Sequence, residues 1–197
     1  MFKRLFTRNK VTGELIMVRI NDKIMPIDRG EIYEDPLDEF LRSNKYGEVT
    51  GGGTMQLESG EIEFCDLEVM ISPNKDKELV INEIITLLES QGAPKGSLLS
   101  IEKTSDQILF GKREGLAIYL DGINLPTIVY EECDSNYVLH ELGVLIGDSG
   151  TVQRHWQGET ETALYFYGES FEKMNNAISE FIKTYPLCEG ARVVQIA

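Results

Sequence analysis

The chain has 197 residues, 42% of them hydrophobic, with 33 acidic and 19 basic side chains and a formal net charge of −14. That hydrophobic share excludes a disordered chain, and no apolar run approaches the roughly 20 residues that a transmembrane helix requires. Lys3, Arg4, Arg8 and Lys10 fall in the first ten positions, which leaves 33 acids against 15 bases elsewhere, a net of −18; such a surface repels nucleic acid.

The basic start has no apolar stretch and no small-residue cleavage site after it, so it does not read as a secretion signal. Phe2, Leu5 and Phe6 among those cations can form a short amphipathic helix that touches an anionic membrane or folds back on the acidic body; a frayed terminus is the commoner outcome. Cys65, Cys133 and Cys188 are odd in number and widely spaced, which suggests neither a disulfide framework nor a zinc site and fits a reducing cytoplasm.

Leu15 to Ile20 reads as a strand ended by the turn pair Asn21-Asp22, with a short return strand expected after it. Asp35 before Pro36 and Leu37 has the chemistry of an N-cap, predicting a helix to about Ser43. Thr54 to Leu57 and Ile62 to Ile71 read as strands joined at Ser59-Gly60. In the second, apolar parity shifts between Ile62-Phe64 and Cys65-Leu67-Val69-Ile71, predicting a β-bulge near Phe64. Lys75 to Gln91 shows helical periodicity through Leu79, Val80, Ile84, Leu87 and Leu88 and stops at Gly92. Leu98 to Ile101 reads as a strand, and Thr104 to Glu114 as a join.

The same order then returns. Leu116 to Leu120 is a strand ended by Asp121-Gly122, again with a return strand expected; Ser135 can cap a helix to Leu145; Thr151 to Trp156 and Thr160 to Tyr167 read as strands; Ser170 caps a strongly amphipathic helix; Val193 to Ile196 closes. Ile20-Asn21-Asp22, Met25-Pro26 and Glu31 match Leu120-Asp121-Gly122, Leu125-Pro126 and Glu131 at a shift of 100, and later matches keep their order at shifts of 94 to 98. Ordered matches across equivalent elements argue for a duplicated unit.

Without an extra leading hairpin strand, each unit reads βαββαβ. The architecture resembles the ferredoxin-like fold, an antiparallel sheet with helices on one face. The expectation is an α+β tandem duplication: a basic segment 1–12, a first repeat 13–103 and a second repeat 104–197. The resemblance implies no activity, because this fold hosts many.

Candidate chemistry is sparse. Gly51-Gly52-Gly53-Thr54 offers backbone amides that can cradle a phosphate, but no lysine and helix follow as in a P-loop, and a turn before a strand explains the run more simply. Lys95 in Gly92 to Ser97 can likewise approach an anion, though helix termination suffices. His140 and His155 are the only histidines; His155-Trp156 on a strand can line a binding surface. Glu58, Glu61, Glu63, Asp66 and Glu68 can in principle hold Mg²⁺ or Ca²⁺, but lack EF-hand spacing and fit a solvated face. Ligand or partner contact is therefore expected at Gly51, Gly52, Gly53, Thr54, Glu61, Glu63, His155 and Trp156, with no catalytic residue, metal or cofactor assigned. The leading expectation is a non-catalytic acidic protein that binds or neutralises a basic partner; it resembles bacterial immunity proteins in composition alone. The alternative is a small-ligand or regulatory domain using the cleft between repeats, and a homodimer through exposed sheet edges is compatible with either.

Overall fold

A computed structural model of the chain describes residues 13–102 and 104–197; the expected amphipathic segment at the N-terminus lies outside the described residues. Strand β1 (Glu14–Ile20) leads into α1 (Pro26–Arg29), a π-helical turn (Gly30–Glu34) and α2 (Asp35–Ser43), then β2 (Gly47–Gln56), β3 (Ile62–Ile71), α3 (Lys77–Ser90), β4 (Ser97–Ile101) and β5 (Gln107–Phe110). The second unit is β6 (Glu114–Asp121), α4 (Thr127–Glu132), α5 (Ser135–Ile146), β7 (Gly150–Gln157), β8 (Glu161–Gly168), α6 (Phe171–Thr184) and β9 (Arg192–Gln195).

The first sheet has the order β2-β3-β1-β4-β5 and the second β7-β8-β6-β9, with every strand pair antiparallel. With β5 set aside, each follows one ferredoxin-like order, so the chain is a duplicated ferredoxin-like α+β protein. β5 adds to the first sheet from within the segment expected to be a join.

Period-two alternation decides each buried face. Ile16, Val18, Ile20, Cys65, Leu67 and Val69 turn one face of the first sheet onto Tyr33, Leu37, Leu41, Val80, Ile84 and Leu88 of the helices. Leu116, Ile118, Leu120, Leu164 and Phe166 do the same against Val138, Leu142, Met174 and Ile178. The bulge near Phe64 is present: Met55 pairs with Phe64 but Gln56 with Ile62, so Glu63 has no partner and parity reverses there. Ser170 caps α6 by accepting the Lys173 amide, and Asp76 caps α3 through the Leu79 amide.

Several local expectations are corrected. No return strand follows β1 or β6; Pro26 begins a helix, and α4 takes the equivalent place. Asp35 is not an N-cap, because the helix has already run from Pro26 through the π-helical turn into α2. Pro36 has no amide to donate, and the wider π-helical turn just before it keeps the helix continuous where an α-helical ladder would break. Asp134, not Ser135, caps α5 by accepting the Asn136 amide. Leu79 is solvent-exposed, and Ile81 takes its expected place in the core. The triple glycine is not a turn: Gly51, Gly52 and Gly53 pair with Glu68, Leu67 and Asp66 within edge strand β2.

Candidate functional site

The sheet face away from the helices has different fates in the two units. In the first, among the described residues, it is half-buried to exposed, with Arg19 lying 3.5 Å over the Phe64 ring and paired with Asp66 at 2.9 Å. In the second, Ala117, Ala163, Tyr165 and Tyr167 on that face are buried, with Tyr119 and Trp156 packed beside them. The first repeat covers it with its β1–α1 turn and the start of β3.

That turn is held rigidly. The Asn21 amide donates to Ser97 Oγ at 3.1 Å, and Asn21 Nδ2 donates to the carbonyls of Lys95 at 2.8 Å and Ile196 at 3.1 Å, which stitches both repeats together. Gly96, at φ +82°, permits this approach: a Cβ there would stand 3.0 Å from Asn21 Nδ2. Glu114 bridges as well, pairing with Lys95 at 2.6 Å and accepting the Phe171 amide at 2.6 Å.

The centre of the contact is Glu61. Its Oε1 accepts from Tyr165 at 2.7 Å and Tyr119 at 2.8 Å and lies 3.1 Å from Lys23 Nζ, which also donates to the Ile62 carbonyl at 3.0 Å. Burial disfavours the Glu61 charge, but the two tyrosine hydrogen bonds and the Lys23 ammonium outweigh it and hold the carboxyl below its ordinary range. Burial and the Glu61 carboxylate together push both phenols upward, so Tyr119 and Tyr165 stay donors at any physiological pH.

The β1–α1 turn holds a second buried carboxyl. Asp22 is 2% exposed; its Oδ2 accepts from Tyr33 at 2.9 Å, while Oδ1 has no hydrogen-bond partner. Burial pushes its pKa up to about 6, with the Tyr33 hydrogen bond and then the Lys23 amide and Tyr167 hydroxyl pulling the other way. The Tyr167 hydroxyl accepts the Lys23 amide at 3.3 Å.

Two cavities lie against the second unit. One, of about 350 Å³, lies where the linker meets the base of the second sheet, lined by Arg113, Gly147, Ser149, Gly150, Tyr167 and Gly168, with Asp148, Thr151 and Glu169 completing it. Arg113 is exposed and makes no ion pair among the described residues. The other, of about 270 Å³, lies at the end of β6 between Gly122, Tyr130, Cys133 and Leu187. At the offset of 100 that aligns the leading strands, Gly122 stands where the first repeat has Asp22.

The eight residues expected at a site are divided. Glu61 enters the inter-repeat cluster and Trp156 packs at its margin, its indole nitrogen 3.7 Å from the position of a Cβ on Gly60. Glu63, Gly52, Gly53 and His155 are exposed, and Gly51 is half-buried beside the Glu68 carboxylate. The Thr54 hydroxyl accepts from Arg29 at 3.1 Å, and the guanidinium lies over Gly52, which makes that glycine a packing feature. His140 is exposed on α5, remote in sequence from His155 on β7. Among the described residues no group of three or more His, Cys, Asp or Glu side chains is placed to hold a metal, and no helix is long and apolar enough to cross a membrane.

No family model matches the chain, and no curated protein matches. Solved structures similar to it include an unknown protein from Galdieria sulphuraria (10% identity, covering 92% of this chain and 95% of that one, TM-score 0.28). The ligand-free regulatory subunit of aspartate kinase from Thermus thermophilus gives 12% identity, 85% and 92% coverage and a TM-score of 0.26. A candidate monooxygenase from Fusobacterium nucleatum gives 9%, 93%, 91% and 0.31. At such identities and superpositions none bears on activity.

Proposed function

We propose that the chain is a non-catalytic regulatory module that seats a small polar ligand in the cavity between Arg113 and the Gly147–Gly150 turn. The observation that carries this reading is the double position of Tyr167, which lines that cavity while its hydroxyl accepts the Lys23 amide of the first repeat. A ligand that moves Tyr167 changes the contact between the repeats, and a ligand can shift an equilibrium by as much as its affinity differs between the two arrangements.

The lining sets the ligand class. Arg113 offers a planar cation suited to a carboxylate or phosphate, and the glycines leave main-chain groups unscreened by side chains. Asp148 and Glu169 favour a ligand that also carries a cation or hydrogen-bond donor and oppose a polyanion. Catalysis has little support: Cys65 and Cys188 are buried with thiols pushed upward by desolvation, and among the described residues neither exposed histidine has a partner that would make it a base.

The test is a thermal-shift and calorimetric screen with amino acids, small dicarboxylates and mononucleotides. A stabilising ligand whose effect is lost in Arg113→Ala supports the reading, and no stabilisation by any compound overturns it.

One observation favours a second reading, docking of a basic protein. Asp28, Glu31, Asp35 and Glu39 are exposed in a row along α1, the π-helical turn and α2 and form no ion pair among the described residues. This reading requires retention of a basic protein such as lysozyme that weakens steeply with salt and is lost when these four acids are changed to Ser.

A further inference from the structure

We propose that Asp22 makes the contact between the two repeats a proton-operated latch, closed while its carboxyl is neutral and loosened when that carboxyl ionises. This stands independently of the ligand seat.

The geometry is that of a carboxyl built to be uncharged. Asp22 is 2% exposed, accepts the Tyr33 hydroxyl at Oδ2 and has no close donor at Oδ1, and burial outweighs the Lys23 amide and the Tyr167 hydroxyl, which also favour its charged form. An ionised carboxylate is an acceptor at both oxygens, and a buried acceptor without a donor is costly. The groups that face it are Tyr33 from the π-helical turn, Cys65 from β3 and Tyr167 from β8, all held neutral by burial, with Arg113 of the linker acting at longer range. The adjacent cation, Lys23, is committed to Glu61 and the Ile62 carbonyl.

An ionised Asp22 gains water most directly by parting from the second repeat, because its neighbour Lys23 is the residue whose amide meets Tyr167. The two helix-covered cores need not open. Burial, the largest influence on Asp22, raises its pKa from the ordinary aspartate value to about 6. The stabilisation is therefore complete below the ordinary aspartate range and is lost as pH rises through about 6. The proton goes to solvent, and no other group needs to change charge.

The experiment compares the full-length chain with Asp22→Asn, which keeps an acceptor for Tyr33 but cannot ionise. Melting temperature and amide hydrogen exchange are followed between about pH 5 and about pH 7.5. In the wild type the melting temperature is expected to fall by several degrees as pH rises. Protection of the Lys23 amide, corrected for intrinsic rates, is expected to fall by about tenfold while amides of α3 and α6 change little. Asp22→Asn is expected to abolish both slopes. Tyr33→Phe removes a hydrogen bond to the charged form and is expected to move the midpoint upward, which keeps the proposal testable should Asp22→Asn fail to fold. Equal pH slopes in wild type and Asp22→Asn, wild-type stability rising across this interval, or an unmoved midpoint in Tyr33→Phe would each overturn it.

Discussion

Glu61, in the turn just before β3, and Tyr165, in β8, stand 104 residues apart in the chain, and the tyrosine hydroxyl donates to the carboxylate at 2.7 Å. The bond joins two repeats whose cores are otherwise separate, and it does so with Tyr119 and Lys23 bound to the same oxygen. Concentrating three partners on one carboxylate makes the relative placement of the repeats specific, since a displaced second sheet would leave buried polar groups unpaired.

Glu61→Ala should therefore destabilise the chain by about 3 kcal/mol or more, because it strands Lys23 and two phenols in a poorly hydrated contact. Glu61→Gln, which retains an acceptor, should cost about half of that. Urea unfolding monitored by circular dichroism measures both, and a change below about 0.5 kcal/mol in Glu61→Ala would show the cluster to be energetically idle.

The pH dependence of stability should have an acid limb from the same residue. Its carboxyl is held below the ordinary range, so its contribution is present above the ordinary glutamate value and is lost as pH falls through the folded-state value. Combined with the opposite trend of Asp22, whose contribution is complete only below the ordinary aspartate value of 3.8 and falls as pH rises toward about 6, this places the optimum at about pH 4, between the ordinary aspartate and glutamate values. Acid titration of Glu61→Gln should show a shallower limb than the wild type.

The glycines of β2 should separate into two kinds. A Cβ on Gly52 would meet the Asp66 carbonyl at 2.8 Å and the Arg29 guanidinium carbon at 3.5 Å, whereas a Cβ on Gly53 would meet nothing within 4 Å. Gly52→Val is predicted to cost about 1–3 kcal/mol through overpacking. Gly53→Ala is predicted to be neutral or to stabilise by up to about 1 kcal/mol by restricting the unfolded chain. Equal effects in thermal unfolding would contradict this division.

Much of this architecture is legible in the sequence, and the failures have physical causes. Offsets between the halves reveal the duplication because strand alternation and turn positions must recur wherever the same sheet is rebuilt. The Glu63 bulge is readable because one extra residue reverses the parity of every side chain after it. The helix from Pro26 is missed because Asp35-Pro36 imitates a helix start, and only a π-helical turn, which leaves no residue signature, lets Pro36 lie inside. The triple glycine reads as a turn because nothing local reveals that Arg29 will lie across it. Glu61 is found through its neighbouring acids, whereas its actual partners come from distant strands. One clue was present: Ala163 to Tyr167 is continuously apolar or aromatic without alternation, as expected of a strand buried on both faces.

Arg113→Ala should leave stability within about 0.5 kcal/mol of wild type, because the side chain is exposed and unpaired among the described residues. It should nonetheless remove the stabilisation conferred by any ligand from the screen. A ligand that stabilises the variant as strongly as the wild type binds elsewhere, and the cavity beside Gly122 and Cys133 is then the alternative seat.

The most direct test of the regulatory reading is an amide chemical-shift map of the ¹⁵N-labelled protein titrated with the best stabilising compound. The account predicts that the largest shifts fall at Arg113, at Gly147 to Thr151 and at Tyr167 to Glu169, with a second group at Asn21 to Lys23 transmitted through the Tyr167 hydroxyl. Shifts confined to the cavity at the end of β6, or absent from Asn21 to Lys23 when the Arg113 cavity is filled, would contradict it.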